Sequence, residues 1–140
     1  MELMNAIPLL TEIKHALEAL RERGETRTLN ILNFPLTEDD ARYLDEVLGR
    51  GNLTITFDGA EHTFWQESKI AGVWWGEYRN ASRKVTLRSI EIAEVPVLVK
   101  AQAEDIDEGL QQLRSVVAAP PTNTKRALPV LGQELAVAAD

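Results

Sequence analysis

The sequence predicts an α+β fold, a two-layer sandwich in which about three helices pack against a mixed five-stranded sheet. Three observations predict this class. Apolar side chains recur with helical spacing near the start of the chain, after residue 37 and again after residue 103. Between these segments lie short runs in which apolar and polar residues alternate, as they do in strands. Turn-forming glycine, proline and asparagine residues separate the runs, so the predicted order is α-β-α-β-β-β-β-α.

The first helix is predicted over residues 7–23 and ends at Gly24. Its apolar residues share one side of the helix: Leu3, Ala6, Leu10, Ile13, Leu17 and Leu20. This row has two possible uses. It can pack on the protein's own sheet, which is the more common arrangement, or it can pair with a second copy of the chain.

The next segment predicts a β-α-β unit. Residues 28–34 have the pattern of a strand that Pro35 ends, and Thr37 is a favourable N-cap for a helix that extends to Leu48. Residues 53–57 alternate between apolar and polar, so we expect a strand with one buried face and one polar face. A β-α-β unit of this kind is expected to be right-handed, which makes the sheet a mixed one.

Three further strands follow in short succession. A turn signal at residues 58–59 predicts that a strand over residues 61–67 forms a hairpin with the strand before it. Strands are also predicted over residues 72–78 and 85–92. In the last strand, the apolar positions 85 and 87 have the opposite parity from positions 90 and 92. Either a bulge near residue 88 or 89 reconciles them, or both faces of the sheet are covered there.

A final amphipathic helix is predicted from residue 104, with Ile106, Leu110, Leu113 and Val117 on its apolar side. Residues 1–117 then form a single α+β domain. Breaker residues follow at positions 118–124, so residues 118–140 are predicted to be a proline- and alanine-rich tail outside the domain.

Charge and composition exclude several classes of function. The net charge of −7 argues against nucleic acid and against an anionic membrane as partners, because both attract clustered lysine and arginine. The absence of cysteine removes disulfides, iron–sulfur clusters and thiolate zinc sites. The N-terminus lacks a basic segment typical of secretion signals, and no apolar run approaches transmembrane length, so we expect a cytoplasmic location.

Catalytic and metal-binding patterns are weak. His15 and His62 are the only histidines, and neither has a ligand partner at a convincing spacing. The glycines lie at turns and helix ends and form no phosphate loop. We therefore predict no cofactor, no metal and no enzymatic activity. The alternative is an enzyme or small-molecule binder with a pocket lined by Trp65, Glu67 and Glu91. A pair of the carboxylates that surround the strands could perform acid–base chemistry if burial separated their pKa values: Glu67, Glu77, Glu91 and Glu94.

Trp74 and Trp75 are adjacent in a predicted strand, so their side chains must point to opposite faces of the sheet. One can pack under the helices, and the other needs a second layer, a partner or water. Trp65 is a third large aromatic side chain nearby, and Arg79 adds a guanidinium. Tryptophan and arginine dominate the energetics of protein interfaces, so we expect at least one of the three tryptophans to be exposed in a binding surface.

Several fragments resemble the hydrogenase expression/formation domain of the HupH and HyaF proteins. They occur in the same order over about residues 30 to 117, and together they are fairly specific: residues 35–40, 43–51, 65–68, 72–75, 79–80 and 90–96. Family members are longer and contain more than one such region, whereas this chain carries one.

The resemblance implies an accessory protein, a scaffold or chaperone, in the maturation of a nickel–iron uptake hydrogenase. The implied partner is a hydrogenase subunit precursor, with the small subunit favoured, or another maturation protein. A homodimer, which would supply a second copy of the domain, is also possible. The residues predicted to bind the partner are Trp65, Gln66, Glu67, Trp74, Trp75 and Arg79.

Overall fold

A computed structural model describes residues 2–122 of the chain. These residues form two compact units, the first ending at Lys100 and the second beginning at Ala101. The helices and strands, in chain order, are α1 (Ala6–Arg23), β1 (Arg27–Asn30), α2 (Glu38–Leu48), β2 (Thr54–Asp58), β3 (His62–Glu67), β4 (Val73–Arg79), β5 (Val85–Ile92) and α3 (Ala103–Ala118). Short 3-10 turns follow β1, at Ile31–Asn33, and β5, at Val97–Val99. The predicted α+β class and element order are therefore confirmed.

The sheet is antiparallel throughout, so the prediction of a mixed sheet was wrong. Its strand order is β1-β5-β4-β3-β2, and every neighbouring pair is antiparallel. The connections within β2–β5 are at most five residues long, too short for the crossover that parallel neighbours need. β1 and β2 do run in the same direction, but they form opposite edges of the sheet, and the connection through α2 spans the three strands between them.

Helices α1 and α2 pack on one face of this sheet, the helix face. The buried core joins Leu9 and Ile13 of α1 and Leu44 of α2 to Ile90 and Ile92 of β5. The predicted apolar row of α1 thus packs on the protein's own sheet. The buried side of α1 also includes Leu9 and Ala16, which the predicted row omitted.

The start of α2 confirms the predicted N-cap. Thr37 accepts a hydrogen bond from the backbone N–H of Asp40, and the Asp40 carboxylate accepts one from the N–H of Thr37. Asp40 also accepts bonds from the N–H groups of Met4, Asn5 and Ala6, where α1 begins. Burial raises the pKa of Asp40, but these backbone donors outweigh it and lower the pKa from 3.8 to about 2.

Two predicted strands differ from those observed. The first ends at Asn30, because the Asn30 side chain accepts a bond from the N–H of Leu32 and turns the chain into a 3-10 turn. β2 was expected to bury one face, but it is an edge strand whose flanking residue Leu53 and whose Phe57 are about half exposed. The alternation of residues 53–57 therefore identified a strand without identifying a buried face.

The irregularity in β5 also has a definite position. The register shifts at Tyr78 and Arg79 of β4, which pair with Leu87 and Val85, so the extra residue is Thr86 rather than residue 88 or 89. From Ser89 to the end of the strand every residue is buried. Both faces of the sheet are thus covered there, which was the alternative left open by the sequence.

The second unit contains α3, and its bounds agree with the predicted final helix. The helix begins with Glu104 and Asp105 in its first turn, where carboxylates interact favourably with the helix dipole. The boundary at residue 117 between domain and tail stays a prediction, and residues 123–140 lie outside the described part of the chain. Over residues 2–122, the helices lack either the length or the hydrophobicity that crossing a lipid bilayer requires.

Candidate functional site

The alternation of β3 and β4 divides the six predicted partner-binding residues between two faces. Trp75 pairs across the strands with Gln66, and both lie on the helix face. Trp74 pairs with Glu67 and points to the opposite face. By the same parity Trp65 shares the face of Trp74, and Arg79 shares the face of Trp75. The structure therefore brings the six residues together only as two groups of three.

Trp65 and Trp74 are buried on the face opposite α1 and α2. The exposed fraction of the residue is 0% for Trp65 and 3% for Trp74. The indole N–H of Trp74 donates to the carbonyl oxygen of Ala93, and that of Trp65 donates to the carboxylate of Glu91. The other Glu91 oxygen accepts a bond from the N–H of Val97, 2.8 Å away. These bonds fasten the segment after β5 to the sheet.

Trp75 is the least buried of the three tryptophans, although it lies on the helix face. Its indole N–H donates to the carbonyl oxygen of Gly49, the residue that caps the end of α2. The next residue, Arg50, lies over the indole, with its guanidinium carbon 4.5 Å from the ring centroid. Because α2 ends here, it covers Trp75 only in part, and the ring remains half-buried.

Beyond the end of α2, the helix face contains a cleft of about 320 Å³, the Trp75 cleft. Nine residues line it: Ile31, Arg50, Phe64, Gln66, Trp75, Gly76, Glu77, Arg88 and Ser89. Arg79 forms an ion pair with one oxygen of Glu77, and the Arg88 Nε lies 4.0 Å from the other oxygen. The cleft thus combines a half-buried indole with guanidinium groups on both sides of a single carboxylate.

Gln66 and Glu67 mainly contact the loop that connects α2 to β2. The amide nitrogen of Gln66 donates to the carbonyl oxygens of Gly51 and Glu67, at 3.1 Å each. The N–H of Gly51 donates to the backbone oxygen of Glu67, and a Cβ on Gly51 would lie 2.8 Å from the backbone oxygen of Ser68, so this position requires glycine. Both residues thereby fix the loop that carries Arg50.

The cleft residues that the sequence did not identify include Arg50, Phe64 and Arg88. Arg50 directly follows a helix-ending glycine, a position from which a side chain can reach back over the neighbouring sheet. Phe64 has the same strand parity as Gln66, which could have indicated a shared face. Arg88 is opposite Glu77 only because β5 lies beside β4, so its position depends on the strand order.

The three residues of the predicted catalytic pocket lie on the same face of the sheet but in different surroundings. Trp65 and Glu91 are buried and bonded to each other, whereas Glu67 lines a surface pocket with Arg50, Asn52 and Lys69. His62 lies 2.6 Å from the carboxylate of Asp58. Within residues 2–122, no three or more histidine, aspartate or glutamate side chains are grouped so that they could hold a metal ion.

The fold and the site define a small α+β domain with an arginine-flanked tryptophan cleft beside its helices. Residues 3–119 match the family described as the HupH hydrogenase expression protein, C-terminal conserved region, and the chain belongs to this family. The resemblance found in the sequence is therefore confirmed.

Individual relatives agree with this assignment. The chain is 30% identical over 116 residues to the hydrogenase expression/formation protein HoxQ of Azotobacter vinelandii. The aligned region covers 81% of this chain and 41% of HoxQ. It is 26% identical over 114 residues to the hydrogenase-1 operon protein HyaF of Escherichia coli, covering 81% of this chain and 39% of HyaF. The chain thus spans about two fifths of the length of these relatives.

A solved structure supports the fold. The hydrogenase expression protein HupH from Thiobacillus denitrificans is 38% identical to this chain and superposes with a TM-score of 0.71. The match covers 81% of this chain and 95% of that one. The similarity therefore includes nearly all of the solved chain.

Proposed function

We propose that this protein is a non-catalytic accessory factor in the maturation of a nickel–iron uptake hydrogenase. It acts as a scaffold or chaperone that binds a hydrogenase subunit precursor, with the small subunit favoured, or another maturation protein. Membership of a family of hydrogenase expression and formation proteins supports the proposal. The binding surface is the Trp75 cleft.

The observation that carries this choice of surface is the contrast among the tryptophans. Trp65 and Trp74 are buried and serve the fold, whereas Trp75 is partly exposed beside Arg50 and the cleft. Partly exposed tryptophan and arginine that surround a depression are typical of the centres of protein interfaces, since both bury a large area on binding. Of the six predicted residues, Trp75 and Arg79 thus support partner binding most directly.

Affinity capture tests the proposal. The tagged full-length chain would be expressed in cells that produce an uptake hydrogenase, and the co-purifying proteins would be identified by mass spectrometry. We expect a hydrogenase subunit precursor or another maturation protein to be recovered. Cells from which the hydrogenase structural genes are deleted provide the control. If no such protein co-purifies while immunodetection shows the precursors in the lysate, the proposed function is wrong.

Two matched variants test whether the partner binds at the Trp75 cleft. Arg50→Ala removes the guanidinium that lies over Trp75, and Arg42→Ala removes a guanidinium that pairs with Asp39 elsewhere on α2. Both arginines are more than half exposed, so neither change should unfold the protein. We expect Arg50→Ala to reduce the recovery of the partner and Arg42→Ala to leave it unchanged.

A further inference from the structure

The Trp75 cleft has a local charge opposite to that of the whole chain. The net charge is −7, yet the charged side chains that line the cleft are Arg50, Arg88 and Glu77. Arg79 adds a further positive charge through its ion pair with Glu77. Asp45 adds a negative charge through its ion pair with Arg50, so three arginines stand against two carboxylates at the cleft. The remaining positive charge favours an anionic group.

The guanidinium groups of the cleft retain capacity for a further carboxylate. Arg88 and Arg50 are 54% and 52% exposed. The Nη1 of Arg50 pairs with the carboxylate of Asp45, 2.8 Å away, and donates to the carbonyl oxygen of Gly49. The contact of Arg88 with Glu77 is 4.0 Å long, too long for a hydrogen bond, and Glu77 also pairs with Arg79. A guanidinium has five N–H donors in a planar array that suits a carboxylate.

Apolar side chains line the cleft together with these charges. Phe64 is 43% exposed, and Trp75 is half-buried next to it on the helix face. An anion without apolar groups would leave this surface in water. The cleft is therefore suited to a segment that carries both a carboxylate and an apolar side chain.

We propose that the Trp75 cleft binds an extended acidic segment of a partner protein, with a carboxylate between Arg50 and Arg88 and a neighbouring apolar side chain against Trp75 and Phe64. This rests on the proposed function as a protein-binding factor, and it specifies the chemistry of the segment that is bound. Arginine and aspartate or glutamate would supply orientation, and the aromatic rings would supply buried area.

The three tryptophans provide a direct test by nuclear magnetic resonance, because each has one indole N–H. The probe is a short capped peptide that alternates aspartate and leucine, and the matched control peptide has asparagine in place of aspartate. Trp75→Phe identifies the signal of Trp75. We expect the aspartate peptide to shift this signal and to leave those of the buried Trp65 and Trp74 in place.

The arginines are tested with the same probe. The double variant Arg50→Ala/Arg88→Ala should have a dissociation constant for the aspartate peptide at least about tenfold higher, because it loses the charged donors. Arg42→Ala, with the same change of charge outside the cleft, should bind within about twofold of the native chain. Equal binding of the asparagine peptide, an unaffected double variant, or no shift at about 1 mM peptide would each overturn the proposal.

Affinity capture separates this inference from the proposed function. If the double variant recovers the hydrogenase precursor as well as the native chain does, the partner binds elsewhere and the inference fails while the function stands. If the native chain recovers the precursor and the double variant does not, the arginines of the cleft are required as proposed.

Discussion

The carboxylate of Asp40, in the first turn of α2, accepts a hydrogen bond of 2.8 Å from the backbone N–H of Met4, just before α1 begins. It also accepts from Ala6, the first residue of α1, and from Thr37, the N-cap of α2. The N–H groups at the start of a helix have no partner within the helix, so a single side chain satisfies donors at the starts of both helices. Asp40 thereby fixes how α1 and α2 meet.

This arrangement predicts that stability depends on pH in the acidic range. The pKa of Asp40 is lowered from 3.8 to about 2 in the folded protein, so the unfolded chain takes up the proton first as the pH falls. The stabilisation by Asp40 is complete above about pH 4 and is lost towards pH 2. Urea unfolding at a series of pH values should show Asp40→Asn with a lower midpoint near neutrality and a weaker dependence on pH in this range.

Asp39→Asn is the matched control, because it removes the same charge from the same turn of α2. The carboxylate of Asp39 accepts one backbone bond, from Glu2, and pairs with the exposed Arg42. Its profile should keep the acidic decline of the native protein. Parallel profiles for Asp40→Asn and the native chain would contradict the assignment of this decline to Asp40.

The tryptophans of β4 should respond differently to truncation. Trp74→Ala removes a buried indole and should lower the free energy of unfolding by about 3–5 kcal/mol. Trp75→Ala removes a half-buried ring and should cost about half as much, while weakening partner capture. Denaturant unfolding followed by circular dichroism measures both losses. Equal losses, with both variants folded and both capturing the partner, would refute the division of roles.

Glu91 should prove structural rather than catalytic. Glu91→Ala leaves the indole N–H of Trp65 and the backbone N–H of Val97 without their acceptor, which should cost about 2–4 kcal/mol in stability. Glu94→Ala, an exposed change three positions along the chain, should stay within about 0.5 kcal/mol of the native value. The urea midpoints of these two variants show whether Glu91 stabilises the fold. A Glu91→Ala protein as stable as the native chain would refute the structural role.

Gly76 and Ser89 lie so close that a larger side chain at position 76 should require a smaller one at position 89. A Cβ on Gly76 would lie 2.5 Å from the Ser89 oxygen, so Gly76→Ala should destabilise the protein by about 1–3 kcal/mol. Adding Ser89→Gly removes the obstructing side chain and should recover most of the loss in thermal unfolding. Ser89→Ala alone should be nearly neutral, because its buried hydroxyl has no hydrogen-bond partner. A double variant as unstable as Gly76→Ala would point to another cause.

Local signals in the sequence identified the elements well. Thr37 and the acidic residues that follow it define the start of α2, because an N-cap depends only on its own helix. The opposite orientation of Trp74 and Trp75 follows from the strand period of two and was also correct.

Features that depend on distant parts of the chain were not accessible in this way. The antiparallel sheet results from the pairing of β1 with β5, which no local pattern encodes. The burial of Trp74 depends on the segment after β5, where the sequence indicated only the end of the sheet at Pro96. The Trp75 cleft exists because α2 ends at Gly49 above β4, a consequence of three-dimensional placement.

The strand order also has a consequence for how the protein reaches its folded state. Strands β2 to β5 pair with their neighbours in sequence, so this part of the sheet can form through short-range hairpins. Arg27 pairs with Ile92 and Asn30 with Ser89, so adding β1 closes a loop of about sixty residues. We expect the docking of β1 to be the slow step, because the entropy of closing this loop is lost before the stabilising contacts form. Until then, β5 is an open edge that another chain could occupy.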